Sequence, residues 1–207
     1  MSILALTSNT LTGSPGAGQL EYNGTIFAAT PASTQRGIVP TEQFFALNSG
    51  LAGANATGAQ SIFGVGVTLS ASTQYEFEMI VAMAKTAGTT SHNYSIGFGG
   101  TATLNNIAYD WMQQQSATNF LPGSASMISG FTQTAASTTI NTALTTAGSY
   151  IWYMVKGTVS INAGGTFIPQ YTLSAAPGGA YTTQAGSYIK IKPIGASGAN
   201  VSVGTWA

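Results

Sequence analysis

From about residue 60 onward, apolar and polar residues alternate with a period of two, the signature of half-buried strands. In QYEFEMIVAMA, Tyr75, Phe77, Met79 and Val81 face one way and Gln74, Glu76 and Glu78 the other. IFGVGVTL sets Phe63, Val65, Val67 and Leu69 against Gly64 and Gly66. NYSIGFG, NNIAYDWMQ, SMISGFTQ, TTINTALT, SYIWYMVKGTVSI, TFIPQYTL, SYIKIKPI and NVSVGTW continue the series, separated by Gly, Ser, Thr and Asn turns. About eight to ten short strands without intervening helices predict an all-β, antiparallel jelly roll or β-sandwich over 59–207. A parallel sheet would need helical crossovers, and the pattern has none.

Upstream the pattern changes. Residues 1–18 read as an extended arm ending in GSPGAG, and QLEYNGTIFAA reads as a β-hairpin, giving an N-terminal unit of 1–30. Asn23-Gly24 favours a type I′ turn, since both central residues need positive φ. A two-residue loop pairs Tyr22 with Thr25, Glu21 with Ile26 and Leu20 with Phe27, so Leu20, Tyr22 and Phe27 share a face. A lone ribbon is marginal in water, so that face needs a cover. Residues 31–58 read as a linker broken by Pro31 and Pro40, with a short helix near 41–49 capped by Thr41 and ended by Gly50.

Two strands carry more than alternation. SYIWYMV is apolar on both faces, Tyr150, Trp152 and Met154 against Ile151, Tyr153 and Val155. Such a strand is covered on both sides, by its own core and by a neighbouring subunit. Tyr150, Trp152, Tyr153 and Met154 are therefore the expected subunit interface. In SYIKIKPIG, Lys190 and Lys192 repeat the spacing of Glu76 and Glu78. If the two strands are neighbours, they form a charge ladder worth about 0.2 to 1 kcal/mol per pair.

Composition narrows the function classes. Five basic and five acidic residues make up 5% of the 207-residue chain, against about 25% in an ordinary domain. So charge-poor a surface suits a chain whose surface is used up in an assembly. Zero net charge and the lack of a basic stripe argue against nucleic acid. The chain has no cysteine, which removes disulfides and thiolate metal sites. MSILALTSNT has neither a basic flank nor a long apolar run, so no signal peptide or membrane span is expected, and the protein is expected to be made in the cytoplasm.

Catalysis needs convergent titratable groups. His92 is the single histidine, so any Ser-His-Asp or metal arrangement must pass through it; in TTSHNYS it reads as an exposed turn residue. A pair of glycosidase carboxylates would come from Glu76, Glu78 and Asp110, the first two ~7 Å apart on one strand face. Nothing nearby desolvates them, and alternation sends Tyr109 and Trp111 to the face opposite Asp110. GVGVTL lacks the Lys of a phosphate loop. Four Asn-x-Ser/Thr triplets, at Asn23, Asn55, Asn93 and Asn200, are expected by chance in a chain this rich in Asn, Ser and Thr. WMQQQSATN offers Trp111, Gln113, Gln114 and Gln115 as a receptor or saccharide contact. The chain is expected to be no enzyme and to carry no catalytic residue, metal or cofactor.

The runs SPGAGQLEYNGTIFAATPASTQRGIVPTEQFFALNSGLAG, SIFGVGVTLSASTQYEFE and KTAGTTSHNYSIGFGGTATLNNIAYD resemble bacteriophage virion proteins, particularly those of cyanophages. The matching motif is a P-x-A-G-x-x-E-Y-N/D-G-T hairpin followed by an R-G step: Pro15, Ala17, Gly18, Glu21, Tyr22, Asn23, Gly24 and Thr25, then Arg36-Gly37. The GSYIKIKPIG ending is similar to the last strands of trimeric jelly rolls of the tumour-necrosis-factor type. The resemblance implies a homotrimeric protein of the virion surface, docked through Leu20, Tyr22 and Phe27 onto the major capsid protein or another virion protein. An arm of 18 residues is too short for a shaft, which favours a capsid decoration (cement) protein or head fibre. The competing expectation is a short tail fibre that contacts a host receptor.

Overall fold

A computed structural model describes residues 5–116, 127–198 and 200–206. The chain is all-β: β1 (Gln19–Tyr22), β2 (Phe27–Ala32), β3 (Gln35–Val39), β4 (Gln43–Ala46), β5 (Leu51–Ala52), β6 (Gln60–Ser61), β7 (Val67–Leu69), β8 (Thr73–Lys85), β9 (His92–Gly99), β10 (Thr103–Ser116), β11 (Ile128–Thr132), β12 (Thr138–Leu144), β13 (Ser149–Ala163), β14 (Gly165–Leu173), β15 (Thr182–Thr183) and β16 (Tyr188–Ala196). Every pairing among them is antiparallel.

Strands β4 to β16 form two packed sheets. The first runs β4-β16-β8-β13-β10-β11, with short β15 and β5 continuing beside the far end of β8. The second runs β12-β9-β14, and both β6 and β7 pair with β14. From β7 to β15 chain order alternates between the sheets, except that β10 and β11 stay together as a hairpin in the first. Setting that hairpin aside leaves the orders β4-β16-β8-β13 and β6/β7-β14-β9-β12, the interleaving of a jelly roll. The fold class expected from alternation is the one observed.

The core lies where the period-two pattern put it. Tyr75, Phe77, Met79 and Val81 of β8 and Ile151, Tyr153, Val155 and Val159 of β13 are buried against Tyr94, Ile96 and Phe98 of β9 and Phe167, Tyr171 and Leu173 of β14. Each such side chain contributes about 1.5–3 kcal/mol of transfer free energy. Phe98 stacks on Phe167 at 4.8 Å, and Phe77 meets both edge-on at 5.2 and 5.8 Å. Gly157 makes room for this cluster between Phe77 and Tyr109. A Cβ there would lie 2.2 Å from the Ala108 carbonyl oxygen.

Three local expectations are corrected. The helix near 41–49 is strand β4, paired with β16 through Ala46↔Tyr188 to Gln43↔Ile191. Covering Ile189 and Ile191 outweighs the capping signals, which are worth about 1 kcal/mol. IFGVGVTL is broken at Gly64, where φ is 72°, so that only Val67–Leu69 form a strand there. The segment 200–206 forms no strand. It lies beside β3, and Ile38, Gln74, Asn106, Ile194, Val203 and Trp206 line a cleft of about 690 Å³ between the N-terminal strands, the tail and the sandwich.

Candidate functional site

The motif residues of the N-terminal region build a three-stranded sheet, β1-β2-β3, so residues read as the start of a linker complete the hairpin. The hairpin register is two residues longer than the Asn-Gly rule predicts: Tyr22 pairs with Phe27, Glu21 with Ala28 and Leu20 with Ala29. Asn23 Oδ1 accepts the Thr25 and Ile26 amides at 3.0 and 2.9 Å, which stabilises a four-residue loop in place of the two-residue turn. A shift of two leaves every side chain on its face. Tyr22 and Phe27 therefore still share one face, stacked at 4.6 Å, next to Leu20 at 48% exposure. Their rings are half-buried.

Glu21 and Arg36 tie this module together. Their ion pair is 2.9 Å long and mostly shielded. The second Glu21 oxygen accepts the Thr12 amide at 2.8 Å, and Arg36 donates to the Thr12 carbonyl. Asn9 donates to the Tyr22 carbonyl and Thr34 to that of Pro15. The motif's Pro15, Glu21, Tyr22 and Arg36 thus hold the arm against the hairpin.

The second feature is the solvent side of the first sheet. Since Tyr109, Val155, Met79 and Ile189 point into the core, Asp110, Lys156, Glu78 and Lys190 form one outward row across β10, β13, β8 and β16. The row beside it is Met112, Met154, Ile80 and Tyr188, apolar across the same four strands. Trp152 and Ala82 continue the apolar area in the next row. Phe44, 61% exposed, stacks on Tyr188 at 5.5 Å. The Tyr188 hydroxyl donates to Glu78 Oε1 at 3.2 Å.

The charge ladder forms within the chain. Lys190 pairs with Glu78 at 3.4 Å and Lys192 with Glu76 at 3.2 Å, each in direct cross-strand register. Glu78 raises the Lys190 amine above its ordinary pKa, by charge and hydrogen bond. Asp110 and Lys156 are exposed cross-strand neighbours, yet neither makes an ion pair with a described residue. They flank a hollow of about 270 Å³ floored by Met112 and Met154.

Several expected site residues lie elsewhere than the sequence suggested. Tyr153 is fully buried, with its hydroxyl 3.0 Å from that of Tyr94, so it cannot contact a neighbouring subunit; Tyr150, Trp152 and Met154 do point outward. Of the receptor-contact set, Gln113 is buried and accepts from Asn141 Nδ2 at 3.1 Å. Trp111 packs against the core, its indole lying over Gly130. Gln115 shares that inward face, and Gln114 faces out opposite Trp152. The rest of WMQQQSATN, 117–119, lies outside the described residues. Met112, Ile80 and Tyr188 were missed as surface candidates, although the polar face of QYEFEMIVAMA already turns apolar at Ile80 and Ala82.

His92 is a buried residue and not an exposed turn. Its Nδ1 lies 2.8 Å from the Thr90 carbonyl, which fixes that nitrogen as the donor, and Nε2 then accepts from the Tyr181 hydroxyl at 2.9 Å. Burial holds the imidazole below its ordinary pKa and the charge of nearby Lys85 adds to this, while the Thr90 contact opposes it. The Lys85 amine is buried too, donating to the Gly88 carbonyl at 2.8 Å beneath the Tyr181 ring, and burial lowers its pKa. Glu76 and Glu78 are occupied by lysines. Among the described residues no group of three metal-ligating side chains converges.

No protein-family model matches the chain, and no curated protein sequence matches it. Among solved structures, the "Structure of infectious bursal disease virus Gx strain" is similar over 86% of this chain and 47% of that one, at 9% identity and a TM-score of 0.18. The chain thus spans about half the length of that neighbour, at a score below that of a shared fold.

Proposed function

We propose that this chain is a non-enzymatic structural protein of the bacteriophage virion surface, a capsid decoration (cement) protein or head fibre that works as a homotrimer. The observation that carries the reading is the outward apolar row Met112, Met154, Ile80 and Tyr188, continued by Trp152, on a chain with almost no charge elsewhere. A solvated sheet face ordinarily alternates to polar residues; one that does not is built to be covered. The phage-like motif supports the virion setting, because its Glu21, Asn23 and Arg36 shape a self-contained module that leaves Leu20 and the stacked Tyr22 and Phe27 rings on an open face. That face is the docking element, bound to a capsid partner. Binding only to the assembled shell would stabilise it by mass action.

Labelling the protein on intact particles tests the location. Label on the head, together with faster heat or low-salt rupture of particles lacking the protein, supports decoration. Label on the tail, or soluble protein that adsorbs to host cells and blocks infection, would replace it with the receptor-binding reading.

A further inference from the structure

We infer that a second copy of this chain covers the outer face of the first sheet, with Asp110 of one copy set against Lys156 of the next. The inference rests on the self-association proposed above and names the contact that fixes its register.

The argument starts from which charges are satisfied. Five basic plus five acidic residues make ten, and seven of them, Glu42, Glu76, Glu78, Asp110, Lys156, Lys190 and Lys192, gather on this one face. Four are consumed in the two cross-strand pairs, and Glu42 adds its charge beside Lys190 and Lys192. The remaining two are of opposite sign, exposed, and separated only by the width of one strand pairing. They sit at the rim of the apolar row and the Met112–Met154 hollow. A partner that fits must bring apolar surface for the row, one base for Asp110 and one acid for Lys156. In a three-fold ring the same face of the two neighbouring copies supplies all three, one neighbour's Lys156 meeting Asp110 and the other neighbour's Asp110 meeting Lys156. A strongly basic or acidic partner would satisfy one charge and repel the other. Exposed Phe131, directly opposite Asp110 on β11, extends the apolar rim toward the sheet edge.

The test uses the full chain. Asp110→Lys and Lys156→Asp are made singly and together, and association is followed by sedimentation equilibrium at two salt concentrations. Both positions are exposed, and an unchanged urea midpoint under dissociating conditions confirms that each variant folds. Each single change places like charges in contact and is expected to raise the dissociation constant about tenfold or more at low salt. The double variant inverts the pair and is expected to return it to within about threefold of the parent. Single variants that associate like the parent, or a double variant weaker than either single one, would overturn this contact while leaving self-association standing. A parent chain that stays monomeric would overturn both.

Discussion

The hydroxyl pair of Tyr94 and Tyr153 offers a sharp test of how the sandwich is held. Both side chains are fully buried, their hydroxyls are 3.0 Å apart, and neither has another hydrogen-bond partner among the described residues. Tyr94→Phe keeps the ring and its stacking on Tyr171 at 5.4 Å, but strands the Tyr153 hydroxyl in the core. Tyr153→Phe does the converse. Each single change should cost about 1–3 kcal/mol, the desolvation penalty of an unsatisfied buried hydroxyl. The double variant removes both groups at once and should cost no more than either single one, a coupling of at least about 1–3 kcal/mol. Urea unfolding at fixed protein concentration reads this as two lowered midpoints and one near the parent's, with unchanged slope. On heating, each lost kcal/mol should lower the transition by about 2–4 °C in a chain of this size. Additive losses would refute the reasoning, because they would mean the two hydroxyls do not satisfy each other.

Other outcomes follow from the same structure. His92 has its folded pKa depressed, so the unfolded chain binds the proton more readily; stability is full above about pH 6.5 and falls as pH drops below it, and His92→Gln should flatten that slope in urea titrations from pH 4 to 8. The buried tyrosines work in the opposite direction. Burial pushes Tyr171 up to about 12 and also raises Tyr94, Tyr153 and Tyr181 well above the ordinary tyrosine value, so stability should fall above about pH 10, seen as phenolate absorbance appearing only with unfolding. Gly157→Ala drives a methyl into the Ala108 carbonyl and should cost about 3 kcal/mol, at the upper end for overpacking; a parental urea midpoint would contradict the close approach. Glu21→Gln removes the shielded partner of Arg36 and should expose the Asn9 and Thr12 amides to faster hydrogen exchange, with the sandwich amides unchanged.

Much of this fold was legible because period-two alternation is a strong signal wherever one face is buried. QYEFEMIVAMA and SYIKIKPIG gave both the core face and the Glu–Lys ladder, since the residues that alternate outward are the ones that meet across strands. Failures occurred where tertiary contacts overrode local chemistry. TEQFFALNSG carries helix caps, yet Phe45 and Ile189 are worth more as cross-strand partners. Asn23-Gly24 announces a tight turn, but the Asn23 side chain captures two amides and lengthens the loop. His92 and Tyr153 could not be placed by alternation alone, because what buries their polar atoms is Tyr181 and Tyr94, on other strands or loops. The apolar outer row was half-visible: SYIWYMV announced it, whereas its partners Met112, Ile80 and Tyr188 come from three different strands and are joined only by register.

The central claim is that the outward row of the first sheet is a contact between copies. Sedimentation equilibrium of the full chain at micromolar concentration tests it most directly, run beside Met154→Lys, which puts a charge in the middle of that row. A parent with three times the chain mass and a folded, monomeric variant are predicted. A monomeric parent, or a variant that assembles as the parent does, would contradict it.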